Sequence, residues 1–323
     1  MRNYIFRRTL INIPVILLVA TLVFFATNVL PGDFVAQRIA AQNPIGTDRE
    51  SREGQIKKIR EDLGLDEALP VRYVKYIGNL VTGDFGVSYR TREGALQGFR
   101  KGIPYTLQLS IMTLIVALMT SIPIGILSAI RQDSWVDYVL RIFAIVALAA
   151  PNFWVATVAL LYVVKFHMWD VPITQHPLLW DDPVASIKLF GIPAVVGGIA
   201  SGAGIMRLLR SQMLEVLRQD YIRTAWAKGM RERVVITRHA LKNALIPVIT
   251  VIGLTVAGLI SGNVVFEFLF NIPGVGARIL TAVNARDVPV LQAFVLVIAT
   301  FIVFVNLAVD VLYGVIDPRI RLS

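Results

Sequence analysis

Cysteine is absent from all 323 residues, which excludes disulfides, thiol nucleophiles and cysteine-ligated metals at once. Histidine is scarce: His167, His176 and His239 are spread over two loops, so no metal site is expected. Gly-Lys never occurs, which removes the phosphate-cradling P-loop, and no G-x-G-x-x-G is found. Gly86-Val87-Ser88-Tyr89-Arg90 lacks the last glycine of the G-x-S-x-G elbow, so a serine hydrolase has no nucleophile seat. No catalytic residue is assigned. Charge is also thin, at 17% of residues where a soluble domain carries about a quarter.

What fills the space is apolar, 55% of the chain, and it comes in blocks. The basic start Arg2, Arg7, Arg8 precedes an uncharged run from Thr9 to Leu30. That run exceeds a signal-peptide core and no A-x-A site follows closely, so it reads as an uncleaved first membrane helix. Five more runs lack Asp, Glu, Lys and Arg: 103–130, 142–164, 189–206, 243–266 and 288–309. Each approaches the roughly 20 residues that an apolar helix needs to cross the hydrocarbon. The expectation is an all-α integral membrane protein with six transmembrane helices and both termini in the cytoplasm. The net charge of +10 sits in loops beside the spans, where it orients the chain by the positive-inside rule rather than binding nucleic acid. The run 189–206 holds Gly191, Gly197, Gly198, Gly202 and Gly204, which suits a tightly packed helix interface.

Four regions follow: residues 1–30 as N-terminus and first helix, 31–102 as an extracytoplasmic loop region, 103–313 as a five-helix core containing the cytoplasmic loop 207–242, and 314–323 as the cytoplasmic C-terminus. Within 31–102, helices are expected over Arg49–Leu63, with Ile56, Ile59 and Leu63 on one face, and from Pro70, burying Val71, Val74, Ile77 and Leu80 or Val81. Pro273-Gly274-Val275-Gly276 forces a turn before a short helix from Ala277 to Val283.

The stretch Asp220–Pro247 lies between two apolar runs and carries six basic residues, Arg223, Lys228, Arg231, Arg233, Arg238 and Lys242. Asp220 is placed to cap a short helix over Tyr221–Lys228, and Gly229 stands where a helix end favours a left-handed residue. Tyr221, Ala225 and Gly229 recur at i, i+4, i+8 and predict one edge small enough for another backbone to approach. A basic linker resting on anionic lipid is the competing reading. A second helix starts near Glu232 and runs into the membrane.

These residues resemble the EAA loop of bacterial ABC importer permeases in its dipeptide/oligopeptide form: Asp220 to Ala225, Gly229, and Arg238 to Pro247. The usual head glutamate and Leu-Pro are replaced by Arg223 and Leu241-Lys242, as in the peptide group. Asn79 to Ser88, Phe268 to Gly276 and Asn306 to Arg321 resemble the same group, so the likeness spans nearly the whole chain. It implies the type I ABC importer permease fold with a small helical extracytoplasmic cap between the first two helices. It also implies a second homologous permease subunit, two ATPase subunits, an extracytoplasmic solute-binding protein and a lipid bilayer around the whole. No cofactor belongs to this chain; ATP and magnesium are expected on the ATPases. The place implied is a bacterial or archaeal cytoplasmic membrane.

Carried onto this sequence, the ATPase contact is Asp220, Tyr221, Thr224, Ala225, Lys228 and Gly229. The loop facing the binding protein is Asn271, Pro273, Gly274 and Gly276. Polar residues inside spans offer Asn152, Ser261 and Asn263 for the translocation path. Glu267, Asp287 and Asp310 stand at span ends rather than in their middles, which disfavours the alternative of an ion-coupled secondary transporter. Within the family, a nickel chelate, glutathione or an oligosaccharide remains the alternative solute to a peptide.

Overall fold

Long apolar sequence becomes long helix. The computed structural model describes residues 2–29, 54, 57, 66–168, 170–172 and 174–316. Of the expected helix Arg49–Leu63 all but residues 54 and 57 lie outside the described residues, as does the C-terminal stretch from Asp317. The helices are α1 (Arg2–Val29), α2 (Leu69–Val81), α3 (Ala95–Ile130), α4 (Trp135–Ala149), α5 (Asn152–Lys165), α6 (Pro183–Leu217) and α7 (Asp220–Ala227). There follow α8 (Glu232–Val234), a π-helical turn (Val235–Ala240), α9 (Leu241–Gly262), α10 (Val264–Leu269), α11 (Val275–Asn284) and α12 (Val288–Ile316). Among the described residues, β pairing is limited to an isolated bridge between Val87 and Gly94.

Among the described residues, five helical stretches are long and apolar enough to cross a membrane, and a sixth crossing is available if the pair α4 and α5 counts as one span. That pair is bent by 97° at Ala150-Pro151, where a single helix over 142–164 was expected. Proline at 151 removes a backbone donor and disfavours helix at residue 150, so the helix breaks there instead of bending gently. Several helices also outrun their charge-free segments. The helix α3 begins at Ala95, and α6 begins after Asp182, whose carboxylate accepts from the amides of Val184 and Ala185 at 3.0 Å each.

Two units organise these elements. The first comprises residues 1–9, 102–277 and 302–323; the second comprises 10–101 and 278–301. In the first, α6 is the axis, packed by α4, α5 and α9. Its glycines admit α3: a Cβ on Gly198 would collide with Val116 and the Thr113 carbonyl, and one on Gly202 with the Ala117 carbonyl. The interface predicted from small residues is therefore present, although Gly204 faces open space.

In the second unit, α2 starts as Pro70 dictates but buries a different stripe. Tyr73 and Tyr76 lie against the Phe24 and Phe25 rings of α1, and the Thr21 and Tyr73 hydroxyls are 2.8 Å apart. Val71, Val74 and Val81 are exposed, which corrects the expected valine face; only Ile77 and Leu80 of that set are half-buried. Aromatic rings bury more area per residue than valine, and α1 supplies matching rings. Burial, with Tyr73 beside it, pushes the Tyr76 phenol up to about 12.

Candidate coupling site

Residues 218–248 form one continuous assembly within the first unit. Helix α7 is eight residues long, too short to hold itself in water, so its stability comes from its inward face. Ile222 and Ala225 are buried among Ile205, Leu209 and Met213 of α6, Val235, Ile236 and Ala240 of the π turn, and Ala244 of α9. A push on α7 therefore reaches two long helices through close-packed side chains.

The N-cap is Gln219, in an extended conformation and without a side-chain cap; Asp220 is the first helical residue, not the cap as expected. Its carboxylate still faces the positive helix end and lies 3.4 Å from Arg223 Nη1, fully in solvent. At the other end Gly229 has φ of +72°, its amide donates to Trp226 O at 2.9 Å, and Met230 N donates to Ala225 O at 3.3 Å. These two bonds are the Schellman pattern, which only glycine enters without strain. Met230 then packs back onto the same cluster.

Tyr221, Thr224, Trp226, Lys228 and Gly229 are exposed, whereas Ala225 faces the chain's own core. The expected single edge Tyr221–Ala225–Gly229 is thus corrected: the outward surface is Tyr221, Thr224 and Lys228, with Trp226 beside them. Tyr221 is anchored too, its hydroxyl accepting from Asn243 Nδ2 at 2.8 Å, and Asn243 also donates to His239 O. The second helix begins at Glu232 as expected, but its path through a π turn was not; the wider turn sets Val235, Ile236 and Ala240 all inward.

The other predicted residues divide. Asn152 is exposed at the start of α5, beside the break. Asn263 is buried and donates to Ser110 Oγ at 3.0 Å, so it joins helices instead of lining an open path. Ser261 falls in α9, but its side chain lies outside the described residues. In the loop after α10, Asn271 is exposed at φ +52°, while Gly274 and Gly276 are buried. A Cβ on Gly274 would strike the Glu267 carboxylate, and one on Gly276 would strike Val264, with Glu267 Oε2 next at 3.0 Å. Glu267, fully buried, accepts from Thr106 Oγ1 at 2.6 Å and Ala277 N at 2.9 Å, and Val275 N donates to Thr106 Oγ1. Those glycines shape a socket for a carboxylate; of the four predicted loop residues, Asn271 is exposed and Pro273 half-buried.

Sequence reasoning missed a buried ion pair, Asp137 of α4 with Arg210 of α6, joined by Ser128 of α3. A signal was available: Ser134-Trp135-Val136-Asp137 is a capping box, and Asp137 N does donate to Ser134 Oγ, while Asp133 N donates to Asp137.

Known proteins resemble the chain along its whole length. Residues 121–322 match the family model "Binding-protein-dependent transport system inner membrane component", and residues 1–110 match "Binding-prot-dependent transport system membrane comp, N-term". The chain is 37% identical over 344 aligned positions to the dipeptide transport system permease protein of Alkalihalophilus pseudofirmus, covering 99% of this chain and all of that one. It is 38% identical over 324 positions to the oligopeptide transport system permease protein of Bacillus subtilis, with the same coverage. Identity to the dipeptide transport system permease protein of Escherichia coli strain K12 is 35% over 344 positions, covering 99% of each.

Proposed function

The chain belongs to the binding-protein-dependent transport system inner membrane component family, and from that premise we propose that it is the permease subunit of an ATP-driven importer of short peptides. Peptides are favoured as solute because the relatives' names specify dipeptides and oligopeptides. The partners are a second homologous permease, two ATPase subunits that bind ATP and magnesium, and an extracytoplasmic solute-binding protein. The termini and α7 face the cytoplasm, and Asn271 faces outward toward the binding protein.

The observation that carries this reading is the construction of α7: an exposed outer face closed by Gly229 and an inner face welded to α6 and α9. ATP binding draws the two ATPases together and displaces α7. Ile222 and Ala225 pass that displacement to α6 and α9, and the paired permeases alternate between outward and inward access. Coupling of this kind requires α7 to stay attached in both states, because a lever that detaches transmits no free energy.

Reconstitution tests it. Alone in liposomes, the chain moves no peptide and hydrolyses no ATP; with the partner permease, ATPases and binding protein, peptide accumulates only with ATP. Ion-gradient-driven uptake by the isolated chain contradicts the reading.

A further inference from the structure

Within the second unit, a cavity of about 280 Å³ opens between the turn Gly86–Ala95 and the segment 278–294. The turn is well fixed. Ser88 N donates to Glu93 O, Ala95 N donates to Gly86 O, and Val87 bridges Gly94. Asp287, buried, clamps it by accepting from Ser88 Oγ at 2.5 Å and Tyr89 N at 3.0 Å. The floor is apolar: a Cβ on Gly98 would touch the Phe294 ring, which Phe99 meets edge-on.

The charges on the wall are unequal in their commitments. Asp287 is occupied by the turn, and Glu93 takes Lys101 Nζ on both oxygens at 3.0 and 3.1 Å. Arg90, at the tip of the clamped turn, makes no side-chain bond to any described residue, and Arg278 brings a second guanidinium to the same cavity. A cavity with its acids satisfied, a guanidinium on offer and a ring for a floor suits a carboxylate carried on a small, partly apolar molecule. Its volume is near the lower end of the roughly 300–1,000 Å³ of small-ligand pockets, which fits an occupant of dipeptide size.

We propose that this cavity is a reception site for the free C-terminal carboxylate of a short peptide, held by Arg90 with Arg278 beside it. The proposal rests on the peptide-importer reading above and names a solute contact on the permease itself. The same carboxylate chemistry is also available from an acidic side chain on the binding protein, and the test separates the two.

The assembled transporter in nanodiscs, without binding protein, is titrated calorimetrically with alanyl-phenylalanine and with its C-terminal amide. The amide binds about tenfold or more weakly than the free acid, and Arg90→Gln weakens the free acid to a similar degree, as loss of a charge-assisted bond requires. Arg90→Lys recovers part of the loss. Basal ATP hydrolysis and affinity for the binding protein are unchanged in Arg90→Gln. Equal binding of acid and amide, or no binding to a complex that transports peptide normally, overturns the proposal and leaves the importer reading standing. Weakened binding-protein affinity in Arg90→Gln, with no effect on peptide binding, assigns the carboxylate to that protein and also overturns it. A wild-type complex that accumulates no peptide with ATP removes both.

Discussion

Arg210 grips Asp137 with two parallel hydrogen bonds, Nε to Oδ1 at 2.8 Å and Nη2 to Oδ2 at 2.6 Å, and Asp137 has no accessible surface. Ser128 Oγ adds a third donor to Oδ1 at 2.5 Å, so one carboxylate ties α3, α4 and α6 together. Removing one partner leaves the other buried and unpaired. Arg210→Met is expected to cost about 3 kcal/mol and Ser128→Ala about 1 kcal/mol. Thermal unfolding of the detergent-solubilised chain, followed by loss of monodispersity, orders the two variants. Equal melting temperatures contradict the clamp.

The glycines of α6 provide an internal contrast. Gly198→Ala places a methyl against Val116 and the Thr113 carbonyl, an overpacking expected to cost about 1–3 kcal/mol. Gly204→Ala meets nothing within 4 Å and gains about 0.5–1 kcal/mol of helix propensity. The same melting assay on the single chain gives opposite signs. Two losses of similar size mean that helix packing at Gly198 is not what the structure indicates.

Topology is open to thiol labelling because the chain starts without cysteine. Asp181→Cys, next to the capping Asp182, is labelled by an impermeant maleimide in intact cells. Thr224→Cys is labelled only after permeabilisation. External labelling at position 224 inverts the orientation and ends the coupling argument.

The residues that sequence placed correctly are those whose reason is local. Gly229 was legible because a left-handed helix end selects glycine, and Pro70 because proline suits a first turn. What depends on a distant partner was not legible. Helix α2 carries two apolar stripes, and only the Phe24 and Phe25 rings of α1 decide that the tyrosine stripe turns in. Asp137 meets Arg210 across 73 residues of chain. The apolar run 142–164 gave no sign of a 97° break at Pro151; an angle of that size depends on how α4 and α5 each pack against α6. Gly274 and Gly276 are legible as turn residues, but not Val264 and the buried Glu267, which leave no room for a side chain there.

If α7 transmits work between separate ATPases and this membrane domain, as proposed, a side chain at position 229 must interfere with it. Gly229 has room for a side chain within this chain, so the cost of substitution there is a positive φ plus whatever docks outside. For a non-glycine residue that φ costs on the order of 1 kcal/mol, too little to unfold a domain held by α6. Peptide uptake and binding-protein-stimulated ATP hydrolysis are measured in the reconstituted complex for Gly229→Val and Arg231→Ala. The account predicts normal membrane insertion for both, a fall on the order of tenfold in stimulated hydrolysis and uptake for Gly229→Val, and little change for Arg231→Ala. Full transport by Gly229→Val, with loss confined to Arg231→Ala, contradicts it and makes the segment a lipid-resting linker.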